Sequence, residues 1–377
     1  MKYCLNCGAE NADEATFCTA CAQREFTLNR EEYLRIKFGG SAAAEPEQPL
    51  DEELNAVEAE EVPAPAVETV EEDEVAEEFT DELYDEEEDE DSKYPGDFPV
   101  EDGVLEDYLG DDMNVEIPEG IKKIDDFAFY EKNIESVKMP SSLEVIGETA
   151  FGECNKLETV TIPENVVEIG EGAFEDCLYL EKVVLPDGVN IGANAFNGCE
   201  SLKEINTEAA ASIGSEAFKY CYALEKVILP VAESIPDNAF YYCRDLKEVL
   251  FPDCLSYIGA FAFGRCSALQ SLELPAGLKT IDDNAFEDCC ALKTVDLPDG
   301  LEKIGEFAFG QCTRLKSVFI PASVTTVGKK VFGGCNGLTV YCEASARPPQ
   351  WHKDWDATSG GLFGKKRVKV VWGAKRT

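Results

Sequence analysis

The stretch LEKVVLPDGVNIGANAFNGC, residues 180–199, decides the fold. Val183 and Leu185 fall on one side of an extended chain and Lys182 and Val184 on the other, the pattern of a strand with one buried face. Pro186 ends that strand because proline has no N–H to give a ladder. The rest of the stretch returns through an Ile191-Gly192 turn and a short segment that carries Ala195, Phe196 and Cys199.

The same phrase recurs along the chain. Aligned on the phenylalanine, the units place Phe129, Phe151, Phe174, Phe196, Phe218, Phe240, Phe263, Phe286, Phe309 and Phe332 at intervals of 22 or 23 residues. A fixed period of this length means a solenoid, in which each unit buries its apolar face only against its neighbours. We expect a parallel sheet on one side, short turns or helical segments on the other, and an array roughly 50 Å long at the ordinary strand spacing.

One cysteine follows each phenylalanine by three residues, at 154, 177, 199, 221, 243, 266, 289, 312 and 335, while the first unit has Lys132 there. Thiolates are good ligands and nucleophiles, but a small apolar side chain in the taper of each turn is the simpler reading, since free cysteine is among the most buried residue types. Stacked neighbours would lie within bridging distance. The amino terminus, MKYCLNCGAENADE, shows no apolar export segment, so we expect a cytoplasmic chain with reduced thiols.

The repeated I-G-x-x-A-F-x-x-C-x-x-L-x-x-V-x-L-P unit resembles the BspA-like leucine-rich repeats from about residue 114 to 345, and the tail VYCEASARPPQWHKDWD…VVWG is similar to the carboxy-terminal cap of that family. Two units depart from the pattern: Glu208 stands where the strand-ending proline belongs, and Pro236 replaces the glycine of I-G. The resemblance implies a protein-interaction array. It also implies cell-surface adhesion if the chain is exported.

Four further cysteines form a different pattern. Cys4 and Cys7 make one C-x-x-C, Cys18 and Cys21 a second, with ten residues between the pairs. Two such knuckles set four sulfurs around one tetrahedral point that suits Zn2+, closed and structural, with no open position for catalysis. A rubredoxin-like iron centre and a redox C-x-x-C are the alternatives. CLNCGAENADEATFCTACAQ resembles the short bacterial zinc-ribbon family, with Gly8, Asn11, Ala15 and Phe17 at family-like places and Ala22 departing from the usual glycine.

The charge of −43 is unevenly spread: −1 over residues 1–44, −30 over 45–112 and −12 over 113–377. The acidic stretch lacks the apolar content to fold by itself, although Phe79, Leu83 and Tyr84 form a small apolar island. The chain therefore divides into a zinc ribbon (1–23), a connector (24–44), a disordered acidic linker (45–100), an amino-terminal cap read as a short helix (101–113), ten repeats (114–341) and a carboxy-terminal cap (342–377).

Such a field disfavours nucleic acid and anionic membranes. Arg24, Phe26, Arg30, Tyr33, Arg35, Lys37 and Phe38, just past the knuckles, are the only support for a nucleic-acid- or ribosome-associated factor. The sole histidine, His352, sits between Trp351 and Trp355, where packing is the simpler role. With no convergent acid, base and nucleophile, an enzyme is not indicated.

The outward strand positions offer the candidate site. Lys182, Glu204, Lys226 and Glu248 alternate in sign on adjacent strands, beside Val184, Asn206, Ile228 and Leu250. An apolar row rimmed by charge is how partner surfaces are built, while scattered surface hydrophobes are equally ordinary. The function expected is a non-catalytic scaffold binding a protein partner on this face. Residues 311–377 carry +9, so the acidic segment has a basic target, either in its own molecule or in another. We expect a monomer, with salt-sensitive self-association as the alternative that charge split opens.

Overall fold

The computed structural model describes residues 94–359 and 366–376, together with the backbone of residues 2–4, 10–11 and 26–27. At the amino terminus Lys2–Cys4 pairs antiparallel with both Glu10–Asn11 and Phe26–Thr27. The acidic stretch up to residue 93 lies outside the described residues.

From Asn114 the chain coils as an array of stacked parallel strands. Most units contribute a three-residue strand from the V-x-L part of the motif, such as Thr159–Thr161 and Lys182–Val184, which pair in parallel in register. Burial alternates along them: Val160 and Val183 are inside and their neighbours outside. The proline that follows accepts the first bond of a turn, as in Val166 N–H to Pro163 O at 3.1 Å.

The expected I-G turn is in fact a second parallel sheet. Lys123–Ile124, Val145–Ile146, Glu168–Ile169, Asn190–Ile191 and Ser212–Ile213 pair in sequence, with every isoleucine buried or nearly so. The glycine after the isoleucine stacks directly on the preceding unit. A Cβ on Gly192 would sit 2.7 Å from the backbone of Gly170, which fixes glycine there by close approach.

The A-F segments form turns, and the only helix among the described residues is the 3-10 turn Thr207–Ala209. Backbone hand explains why. Residues two before and two after the phenylalanine are left-handed in every unit, for example Thr149 (φ 51°) and Glu153 (φ 57°) around Phe151. This alternation turns the N–H groups of Thr149, Phe151 and Glu153 toward the next unit, where they meet Glu171, Ala173 and Glu175 carbonyls, each at 2.8 Å. A helix would have closed those bonds within the segment.

The phenylalanines stack face to face through the interior, fully buried, with neighbouring ring centres 4.8–5.9 Å apart. The expected helical cap is instead a hairpin of Val100–Glu101 and Val104–Leu105. It extends the second sheet through Leu105, while Tyr108 stacks on Phe129 at 5.0 Å and donates its N–H to Ala128 O. Ordered packing begins before residue 101, because Tyr94 and Phe98 already touch the core. At the far end Lys369–Trp372 adds a parallel strand to Thr339–Cys342, and Trp351, Trp355 and Trp372 cluster over the last turn.

Candidate interaction face

The outward positions named from the sequence lie together on four consecutive strands. Lys182–Val184 pairs with Glu204–Ile205, and Lys226–Ile228 pairs with Glu248–Leu250. Lys182 Nζ meets Glu204 at 2.7 Å and Lys226 Nζ meets Glu248 at 3.1 Å. The bond from Lys182 holds the Glu204 carboxyl below the usual carboxylate range. The expected continuous charge ladder is two closed pairs, because the sheet is interrupted between Glu204–Ile205 and Lys226–Ile228.

The cause of the break is local. The pattern puts Thr207 at a leucine position and Glu208 at the proline position, and the strand gives way to the Thr207–Ala209 turn after only two residues. In regular units the main chain bonds straight across, as in Ile162 N–H to Val184 O at 2.9 Å and Leu229 N–H to Leu250 O at 3.0 Å. In the irregular unit side chains stand in on both sides. Asn206 Oδ1 accepts the Leu185 N–H at 2.8 Å, and the Thr207 hydroxyl donates to Ile228 O at 2.6 Å. A hydroxyl in a fully buried leucine position is thereby satisfied.

Over the break lies an open groove of about 520 Å³, lined by Lys182, Val184, Lys203, Glu204, Asn206, Glu208, Lys226 and Ile228 among others. Val184 is 38% and Leu250 42% exposed, while Ile228 is half-buried. Glu248 and Leu250 flank the groove one strand on. Asn206 contributes shape rather than a free amide, since its Nδ2 also donates to Leu185 O at 2.9 Å. Sequence reasoning missed Lys203, whose ammonium pairs with Glu181 at 2.9 Å on the rim. Its signal was only the break that Glu208 announces.

The repeated cysteines are in the core with phenylalanine, and each thiol has a partner. Cys154, Cys177 and Cys199 donate to the carbonyls of Phe129, Phe151 and Phe174 at 3.1–3.2 Å, and the other six follow the same rule. Burial pushes the Cys154 thiol up to about 12, so it stays protonated and able to donate. His352 is half-buried in the cap, its Nδ1 accepting the Asp354 N–H at 3.0 Å. Of the metal-ligand set, Cys7, Cys18 and Cys21 lie outside the described residues, and Cys4 is described only as the end of Lys2–Cys4. No helix among the described residues is long and apolar enough to cross a membrane.

Two parallel sheets wound on a 22–23-residue period, with a phenylalanine stack between turns, define a leucine-rich-repeat solenoid. The sequence profile of the BspA type leucine rich repeat region, in six copies, matches residues 122–233 and 233–346, and the chain belongs to that family. A zinc-ribbon domain profile matches residues 3–24. Among solved structures, a leucine-rich repeat protein from Bacteroides ovatus is 26% identical over 68% of this chain and 87% of its own, with a TM-score of 0.38. A leucine rich cell surface protein from Faecalibacterium prausnitzii is 24% identical over 71% of this chain and 98% of its own, with a TM-score of 0.34. The T. pallidum leucine rich repeat protein is 24% identical over 66% and 91%, with a TM-score of 0.31. No curated protein matches the chain.

Proposed function

We propose that the chain is a non-catalytic scaffold that binds a protein partner in the groove opened at Glu204–Ile205, with a zinc clip tethered to it by the acidic segment. The observation that carries this reading is the break itself. Val184 and Leu250 stand exposed on either side of it, beside two Lys–Glu pairs whose charges cancel. Lys182, Lys203 and Lys226 are each paired with a glutamate, which leaves Glu208 as the groove's excess charge within a chain of net charge −43, so a partner covering it meets apolar surface with little of the repulsion that the rest of the molecule exerts.

Cys4, Cys7, Cys18 and Cys21 would hold the zinc, which supplies folding free energy to a segment too short for a core of its own. The protein works in a reducing compartment, the cytosol in this reading. The thiols of the buried column are each engaged with a carbonyl, and oxidation of neighbouring sulfurs would cost those bonds.

The test is capture from native lysate with the full chain and with a Val184→Asp/Ile228→Asp/Leu250→Asp variant. Proteins that bind the first and not the second support the groove. Identical sets on both place the function elsewhere in the chain.

A further inference from the structure

A second patch of the sheet face, away from the groove, carries apolar side chains and uncompensated positive charge. Phe319, Tyr341 and Val371 stand in one register row across the last three strands, with Ser317, Thr339 and Lys369 in the row beside it. Tyr341 is 40% exposed, and Phe319 and Val371 are half-buried. Arg376 lies over the Phe319 ring at 5.1 Å and holds Asp296 and Asp299 at 3.4 and 3.2 Å, so the acids of that edge are already paired. Lys316, Lys369 and Lys375 are exposed, with no acidic partner among the described residues. Glu343, which directly follows the Thr339–Cys342 strand, accepts the Ala322 N–H at 2.8 Å.

The chain itself contains the complement to this patch. Residues 79–91, FTDELYDEEEDED, hold nine carboxylates and no cation, and Phe79 and Tyr84 are the only aromatic residues between 45 and 91. Reach decides which molecule supplies it. Tyr94 packs against the core ahead of the Val100–Glu101 strand, and nine strand spacings of ~4.8 Å, about 43 Å, separate the first strand of this face from the one that carries Phe319. Tyr84 is ten residues from Tyr94 and spans at most ~36 Å when fully extended. The acidic run from Asp85 onward is shorter still, so Tyr84 and that run cannot reach the patch of their own molecule. Residues 45–78, which could reach it, carry no aromatic side chain, and Phe79 gets there only near full extension, about 54 Å, without the acidic run that follows it.

We propose that residues 79–91 of one molecule dock on the Phe319–Tyr341–Val371 patch of a second copy of this chain. Such a contact joins unlike surfaces, head to tail, and its symmetry leaves a free head and a free tail after every addition. The product is an open chain of copies whose length grows with concentration. Because charge supplies much of the attraction across an exposed surface, added salt shortens it.

The experiment is sedimentation velocity of the full chain from micromolar to several hundred micromolar, at low and at high salt. The expected result is a weight-average mass that rises with concentration at low salt and falls to the monomer at high salt. Two surface variants give the decisive arm. Glu82→Lys/Asp85→Lys/Glu86→Lys/Glu87→Lys/Glu88→Lys/Glu90→Lys takes residues 79–91 from nine carboxylates to three against six lysines and so reverses the head, and Lys316→Glu/Lys369→Glu reverses the tail. Each alone should stay monomeric, and an equimolar mixture should associate again, because each reversed end then meets a complementary one. Circular dichroism checks that both variants keep the fold. A wild-type chain that stays monomeric throughout, variants that associate like wild type, or a mixture that stays monomeric overturns the proposal. So does a monomer that only expands with salt, the signature of a clasp within one molecule.

Discussion

The thiol of Cys177 donates a hydrogen bond to the carbonyl oxygen of Phe151, one unit earlier, at 3.1 Å. That carbonyl already accepts the Cys154 N–H at 3.3 Å, so the thiol fills its second lone pair inside the core. The two residues of the motif most easily taken for separate packing positions are thus joined across units. Cys177→Ala should cost about 1–3 kcal/mol through a small cavity and an emptied acceptor site. Cys177→Ser, which keeps a donor, should cost no more than alanine. Chemical denaturation separates the cases, since a thiol acting only as apolar filler would make serine the worse substitution.

Left-handed backbone recurs beside every stacked phenylalanine, and Gly172, Gly198 and Gly334 meet it at their positions with no Cβ. Thr149 meets the same demand with a branched side chain at φ 51°. Thr149→Gly should therefore stabilise the array by up to about 1 kcal/mol, read as a higher Tm. No gain would mean that its neighbours repay the strain.

Thr207 is completely buried, and its hydroxyl is the bond that closes the irregular unit against Ile228. Thr207→Val keeps the shape and removes the donor. The expected loss is about 1–3 kcal/mol, the cost of an unsatisfied buried carbonyl. Hydrogen exchange should quicken around Lys226–Ile228 and not at the distant strand Thr294–Asp296.

Asp282 ties the second sheet together by accepting the Tyr257 hydroxyl at 2.6 Å and the Lys303 ammonium at 2.8 Å. Burial pushes its carboxyl up, but the bonds from Lys303 and Tyr257 outweigh that and leave it below the usual range. A depressed acid stabilises the fold above its unfolded value and loses that contribution as pH falls through the folded one. Lys303→Met should lower stability by about 1 kcal/mol or less near neutrality, since the pair is partly exposed. The difference from wild type should shrink below about pH 4, as thermal melts across pH would show.

Native mass spectrometry should find one zinc ion per chain. A chelator should remove it and abolish the signals of the first 23 or so residues, while leaving the melting of the solenoid unchanged. Reactive Cys4 or Cys18 in untreated protein would instead favour the redox alternative.

Period and burial were legible because they follow from local rules. A phenylalanine every 22 or 23 residues admits little besides a solenoid, and the alternation at Lys182, Val183 and Val184 gives the exposed side of the strand directly. Glu208 at a proline position marked the irregular unit. The second sheet was read as a turn because Ile-Gly is too short to show a period of its own, and it becomes a strand only through pairing with its neighbours. Of the short turns or helical segments expected on that side, the A-F segments are turns for a related reason: hand at Thr149 and Glu153 is set by bonds to the next unit, not by propensity.

The sequence by itself determined the repeat, its buried residues and the cysteine column, because each depends on spacing along one chain. Only the tertiary structure decided where the thiols donate, how Asn206 and Thr207 repair a broken ladder, and which charges remain unpaired at the far end. Those outcomes depend on which atoms stacking brings within 3 Å or so across units, and distance along the chain does not report that.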